Sequence, residues 1–387
     1  MKHPLWADEP DDSETTSPTS ATNPANPTRR YLVVPSLEDP RLVLPTRPHR
    51  AAHAILHALR DSSSSRARAR TAVLRAAMVT NARTTHLPDP PLLDEIVKRL
   101  DGAVGGFVAG VHLGPRRANR KPVLAIASRS GTLVAFAKCG VDPLTDRLVT
   151  HEAAALNELQ GLPGVLVPAL LVSDDHGGHP YIVQTPVPTS QGHADPQTVA
   201  TAQATVAAVG ADALDAGECI ASIAARWEQR RPAAPEFAAL ADRWCALVAS
   251  ADLPWGSWHG DWRVTNMAVT EAGCSVWDWE RFSMGVPFGY DALHLYLTTR
   301  VHSLADLTTL APDLRANASR LLRPFGITAR SDVELVTTGY LLELAGRYLD
   351  DDQANSGARL GAVQRWLLPH LQQFDAATHT GPGGMRS

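Results

Sequence analysis

Cysteine is scarce: Cys139, Cys219, Cys245 and Cys274 are the four in 387 residues, with no CxxC pair and no histidine partner at metal-ligand spacing. That pattern needs no disulfide framework and argues against a zinc site. Buried free thiols suit a reducing compartment, so a cytoplasmic location is expected. No apolar run approaches the roughly 20 residues that cross a bilayer, so no membrane partner is expected. The N-terminus carries Asp8, Glu9, Asp11 and Asp12 where a secretory leader would be basic and then apolar. Strong charge of either sign is also missing. A net charge of −4 argues against a dedicated nucleic-acid binder, and no nucleic-acid partner is expected.

What is present is an ordinary globular composition, 44% hydrophobic and 20% charged, in a chain long enough for two substantial lobes. Residues 1–30 are rich in Ser, Thr, Pro and Asp and read as a disordered tail. Residues 31–90 read as an N-terminal extension subdomain. YLVV and RLVL flank PSLEDP as strand–turn–strand, and helices follow at 51–59 and over RARARTAVLRAAM. Arg66, Arg68, Arg70 and Arg75 make that second helix basic, which is expected to be a solvated face. The span 91–187 reads as a small lobe: a helix with Leu92, Ile96 and Leu100 at i, i+4 and i+8, then the strands GFVAGVHLG, PVLAIAS and TLVAFAKCG. Two more strands are expected at 170–173 and 179–185, with SDDHGG between them. The span 188–375 reads as mainly helical, over 196–214, 217–229, 235–250, 288–302, 304–322, 331–349 and 356–373, and 376–387 as a frayed tail.

Two charged residues fall where charge is costly. Period-two alternation puts Lys138 on the face of Val134 and Phe136. In the next helix, opened by Asp142-Pro143 and stopped by Gly161, Glu152 falls on the stripe of Leu148, Leu156 and Leu159. A carboxylate on an apolar stripe needs a partner, and Lys138 is the available one.

The densest polar signal lies in HGDWRVTN and the CSVWDWE that follows it. Asp261 and Asn266 stand five apart on a tight loop, and Asp278 follows at the end of an apolar run that reads as a strand. Two carboxylates and an amide are hard oxygen ligands, suited to Mg²⁺ rather than to zinc or iron.

A strand Lys, a helix Glu, an Asp–x4–Asn loop and a strand-end Asp, in that order, resemble a protein kinase-like phosphotransferase. HGD–x4–N followed by DWE, then Gly285-x-Pro287 and Asp291, narrows the resemblance to the aminoglycoside phosphotransferase and choline kinase group, over roughly residues 105–373. The resemblance implies an α+β, bilobal protein kinase-like fold, with an antiparallel-sheet N-lobe and a larger helical C-lobe. It implies ATP and Mg²⁺ as cofactors and a small-molecule hydroxyl as acceptor: a sugar, an amino alcohol or an aminoglycoside-like compound.

By the same resemblance Asp261 accepts or orients the acceptor hydroxyl, and Asn266 and Asp278 hold the metal. Lys138 contacts the α- and β-phosphates and is held by Glu152. His259 orients the loop, Asp291 braces its backbone, and Glu280 supports the metal site or pairs locally. Arg263, where kinases carry a lysine, would contact the γ-phosphate. One departure stands out. No GxGxxG is present; GVHLGPRRANRKP offers only Gly110 and Gly114, with Arg116, Arg117, Arg120 and Lys121 in a loop expected to be solvated. A catalytically silent nucleotide-binding module is the alternative. Asp350, Asp351 and Asp352 form an acidic cluster that could attract a cationic acceptor but is read first as an exposed acidic helix end.

Overall fold

The computed structural model describes residues 28–59, 65–80, 84–100, 106–114, 117–189, 195–231, 234–301, 306–351 and 366–371. The chain divides into two compact units. Among the described residues, no helix is long and apolar enough to cross a membrane.

The first unit is built on one eight-stranded antiparallel sheet. Its strands are β1 (Thr28–Pro35), β2 (Pro40–Pro45), β3 (Thr84–Pro88), β4 (Phe107–His112), β5 (Val123–Ser128), β6 (Leu133–Cys139), β8 (Leu170–His176) and β9 (His179–Gln184). Their order across the sheet is β3-β1-β2-β4-β5-β6-β9-β8. Strands from the 31–90 segment and from the 91–187 segment therefore share one sheet, joined where Leu42 and Val43 pair with His112 and Val111. The strand β3 was not expected from the sequence. TTHLP is short, has a single aliphatic residue and buries none of its residues fully, so it carries little hydrophobic signal.

Alternation along the strands feeds a core on each face. On one side Tyr31, Val43, Val111, Ile126 and Val183 pack against Leu92, Leu93, Ile96 and Val97 of α3 (Pro91–Arg99). On the other, Leu32, Leu44, Val108 and Ala125 meet Ala51, Ala52, Ile55 and Leu56 of α1 (His49–Ala58), with Leu74 and Met78 of α2 (Ser65–Thr80). Gly110 is a packing glycine in the middle of β4: a Cβ there would lie 2.4 Å from Ile55 Cγ2, so its absence lets α1 sit down on the sheet. Arg29 and Tyr31 both hydrogen-bond Asp89, tying β1 to the start of α3. Arg75 is exposed, as expected; the side chains of Arg66, Arg68 and Arg70 lie outside the described residues.

Two expectations need correction here. The turn between β8 and β9 is Gly177-Gly178 alone, both at positive φ, so β8 runs through SDDH rather than ending at Ser173. The basic loop is not uniformly solvated. Arg120 donates to the carbonyls of Leu113 (3.0 Å) and Pro40 (2.7 Å), and Lys121 is buried, while Arg117 is exposed; Arg116 lies outside the described residues.

The second unit is mainly helical. Its helices are α5 (Pro196–Ala207), α6 (Ala216–Glu228), α7 (Pro235–Val248), α8 (Tyr290–Val301), α9 (Leu310–Leu322) and α10 (Arg330–Asp350). They enclose one apolar core that includes Trp227, Trp244, Trp258, Tyr290 and Tyr340. Two small sheets interrupt the helices. One pairs β10 (Trp255–Trp258) with β13 (Ser283–Pro287), and the other holds β11 (Met267–Thr270), β12 (Gly273–Val276) and β7 (Val165–Leu166). The helix expected over 196–214 stops at Ala207 and gives way to a turn with Gly210 at φ 69°. The helix expected from 288 begins at Tyr290, because Gly289 adopts φ 90°. Most of the helix expected over 356–373 lies outside the described residues.

Candidate active site

In the first unit, α4 (Pro143–Glu158) begins where Asp142 accepts the backbone N–H of Thr145 at 2.8 Å, while Thr145 Oγ1 accepts those of Val141 and Asp142. That reciprocal cap sets the rotation of the helix, and Glu152 is fully buried along with Leu148, Leu156 and Leu159. Lys138, on β6 opposite Val123 and Ile182, is buried too, and its ammonium donates to Glu152 Oε1. The strand–helix ion pair expected from burial alone is therefore present.

In the second unit, β10 delivers the chain into a turn at His259-Gly260. Gly260 sits at φ 83°, and a Cβ on it would lie 2.3 Å from the carbonyl oxygen of Arg281, so both the backbone angle and the space demand glycine. Asp291, in the first turn of α8, accepts the N–H of His259 at 2.7 Å and that of Gly260 at 3.2 Å. Burial pushes the Asp291 carboxyl up to about 7, against the pull of those two N–H groups. Arg347 of α10 donates to the Gly260 carbonyl and lies over the Trp258 ring. His259 is buried edge-on against Trp279, its ring centroid 4.5 Å away. Its Nδ1 accepts the backbone N–H of Asp261 (3.1 Å) and its Nε2 lies 3.1 Å from the Trp277 carbonyl, so Nε2 carries the proton. His259 thus orients the loop, as expected.

The Asp261 carboxylate is surrounded by donors. Arg263 Nε reaches Oδ1 at 2.7 Å and His294 Nε2 reaches the same oxygen at 3.1 Å. Asn266 Nδ2 bonds the Asp261 carbonyl at 3.0 Å and Oδ2 at 3.2 Å. Burial alone would raise this carboxyl, but the Arg263 charge, the His294 hydrogen bond and the more distant Arg347 outweigh it and hold it well below the usual range. The Asp261 charge in turn raises Arg263. Burial pushes His294 down to about 4, so the ring is neutral at physiological pH; with Nε2–H on Asp261, its Nδ1 accepts the Tyr340 hydroxyl at 3.0 Å.

Asn266 and Asp278 are held in one frame, since the N–H of Trp277 donates to the Asn266 carbonyl at 3.0 Å. Asp278, two residues past the end of β12, is the one non-glycine at positive φ (73°) among the described residues. Asp tolerates that region better than most side chains, at a cost of order 1 kcal/mol, and such strain concentrates at functional sites. The amide of Asn266 gives its nitrogen to Asp261; its Oδ1 accepts the Thr265 hydroxyl at 3.3 Å and keeps a second acceptor position as its ligand end. An amide oxygen fixed in this way and a carboxylate in a strained turn fit a hard cation such as Mg²⁺.

The unit therefore brings Asp261, Arg263 and Asn266 into direct contact and fixes Asp278 through Trp277, while Lys138 and Glu152 meet in the other unit. Three residues at the loop were missed. His294 had a readable signal, three residues after Asp291 and so on the same side of α8. Tyr340 and Arg347 had none, because contacts between α10 and the loop are long-range.

The chain is similar in structure to phosphotransferases acting on small molecules. It matches a candidate fructosamine-3-kinase of Haemophilus somnus at 12% identity and TM-score 0.46, covering 72% of this chain and 96% of that one. It matches an aminoglycoside phosphotransferase of Streptomyces rimosus, in complex with ADP and streptomycin, at 17% and 0.40, covering 64% and 98%. A further match is a thermostable mutant of another aminoglycoside phosphotransferase, bound to AMP-PNP and hygromycin B, at 12% and 0.45, covering 76% and 100%. No family model and no curated protein sequence matches the chain.

Proposed function

We propose that this chain is an ATP- and Mg²⁺-dependent phosphotransferase that moves the γ-phosphate of ATP to a hydroxyl of a small molecule. The observation that carries the reading is the setting of Asp261: a half-buried carboxylate held ionised by Arg263 and His294, hydrogen-bonded to the same Asn266 whose Oδ1 keeps one acceptor position for a cation beside the Thr265 hydroxyl. Mg²⁺, when bound by Asn266 and Asp278, neutralises phosphate charge. A carboxyl held so low is a weak base. Asp261 acts by accepting the hydroxyl hydrogen bond and aligning the oxygen for in-line attack, and it takes the proton late. Lys138 binds the nucleotide phosphates; Glu152 keeps the ammonium at the strand end instead of letting it extend into water. Arg263 carries the positive charge that meets the γ-phosphate. The four cysteines are free thiols, and Cys139, Cys219 and Cys274 are buried, which supports a reducing, cytoplasmic setting.

The acidic cluster does not support a polycationic acceptor. Asp350 pairs with Arg230 and Asp351 with Arg281, so both charges are engaged within the protein, and Asp352 lies outside the described residues. The test is ATP consumption over a panel of neutral sugars, amino alcohols and aminoglycosides, with Asp261→Asn as the blank. Acceptor-dependent turnover that is lost in the blank is the expected result. Mg²⁺–ATP binding with no transfer to any acceptor would instead support a silent nucleotide-binding module.

A further inference from the structure

We propose that His294 is a positioning residue for phosphoryl transfer, fixing the Asp261 carboxylate so that Oδ2 alone faces the acceptor hydroxyl. The inference rests on the phosphotransferase reading and adds a residue and an atom to it. Each oxygen of an ionised carboxylate offers about two acceptor positions. Arg263 Nε and His294 Nε2 fill both positions on Oδ1, at 2.7 and 3.1 Å. Asn266 Nδ2 takes one position on Oδ2 at 3.2 Å and leaves the other. Arg263 and Asn266 both belong to the loop that holds Asp261, so neither can fix the carboxylate against the body of the unit. His294 can. It is fully buried on α8, a helix that Asp291 also anchors to the loop, and its far nitrogen is held by Tyr340 of α10. The relay Tyr340 O–H to His294 Nδ1, then His294 Nε2–H to Asp261 Oδ1, runs in one direction only and needs the neutral ring with the proton on Nε2. Two helices thereby set the torsion of one carboxylate.

His294→Gln and His294→Asn separate this role from simple packing. The glutamine amide reaches the place of Nε2 and still donates to Asp261, whereas the asparagine amide reaches only the place of Nδ1, next to Tyr340. Turnover in His294→Asn is expected to fall about ten- to a hundredfold, the loss of one hydrogen bond to a charged group, with KM for ATP within about twofold of wild type. His294→Gln should recover most of the loss while matching His294→Asn in thermal stability. Equal turnover in the two variants would overturn the proposal. A second readout does not depend on turnover. In ¹⁵N-histidine-labelled protein, one imidazole absent from the spectrum of His294→Gln should be neutral and protonated on Nε2 at pH 7, and Tyr340→Phe should shift its Nδ1 resonance. A proton on Nδ1, or a doubly protonated ring, would sink the relay whatever the acceptor is. The Nε2–H signature without transfer to any acceptor would keep the clamp on Asp261 and refute the phosphotransferase reading alone.

Discussion

Asp291 grips His259 by its main chain, taking that N–H at 2.7 Å on one carboxylate oxygen and the next, from Gly260, at 3.2 Å on the other. Two N–H donors favour the ionised carboxylate, yet burial holds the group up to about 7. Folding thus raises this carboxyl above its unfolded value near 3.8, so the folded state binds the proton more tightly. The contribution of Asp291 is most favourable at low pH and declines as pH rises from about 4 to about 7, by up to about 1.4 kcal/mol per pH unit. Asp291→Asn removes that slope. Urea midpoints measured at pH 4.5, 6 and 8 should therefore show wild type losing ground to Asp291→Asn as pH rises, with no further change above about 7.5. A constant difference across the range would refute the assignment.

The pair Lys138–Glu152 lies inside the first unit, with both side chains buried. Removing one partner takes this ion pair away from a charge that stays buried. Lys138→Met or Glu152→Gln alone should each destabilise by about 3–5 kcal/mol, while the double substitution should cost less than the sum of the two. Denaturant unfolding of the four proteins closes the cycle. Additivity would mean the two charges do not rely on each other.

Asp278 pays for its place with a backbone angle that glycine adopts freely. Asp278→Gly should therefore leave thermal stability unchanged or raise it by up to about 1 kcal/mol, while abolishing the Mg²⁺ dependence of nucleotide binding. Asp278→Ala keeps the strain, loses the carboxylate and should be the less stable of the two. Calorimetry, with nucleotide titrations in the presence and absence of Mg²⁺, checks both halves. A Gly variant clearly less stable than the Ala variant would show that the angle is not strained.

What the sequence showed and what it hid divide along a physical line. Local patterns were legible. Glu152 on an apolar stripe called for a cation, and Lys138 on the preceding strand supplied it. The Asp142-Pro143 start and the Asp261–x4–Asn266 spacing are contained within a few residues, and the structure reproduces both. Long-range pairing was not legible. β3 joins the sheet edge across more than fifty residues from β1, with little apolar content to announce it. Arg120 looked like a surface charge because nothing local reveals that Pro40 and Leu113 present carbonyls to it. From α10, Arg347 reaches the Gly260 carbonyl and Tyr340 reaches the His294 ring, at separations that no sequence period encodes.

Arg263 combines two duties that a single substitution can separate. Its Nε is committed to Asp261, and its side chain is about one-third exposed, which leaves the terminal nitrogens for a phosphate. Arg263→Ala should lower turnover about a hundredfold while weakening ATP binding far less, since the charge matters most when negative charge builds on the transferring group. It should also move the pH profile. Burial pushes Asp261 up, and Arg263 is the largest of the influences that pull it down. Without the guanidinium the carboxyl rises, so the acid limb of the turnover profile shifts to higher pH. Arg263→Lys keeps a charge but not the planar fork, and should restore the acid limb more fully than the rate. An Arg263→Ala variant with normal turnover, or with a lower rate and an unmoved acid limb, would separate Arg263 from the charge state of Asp261.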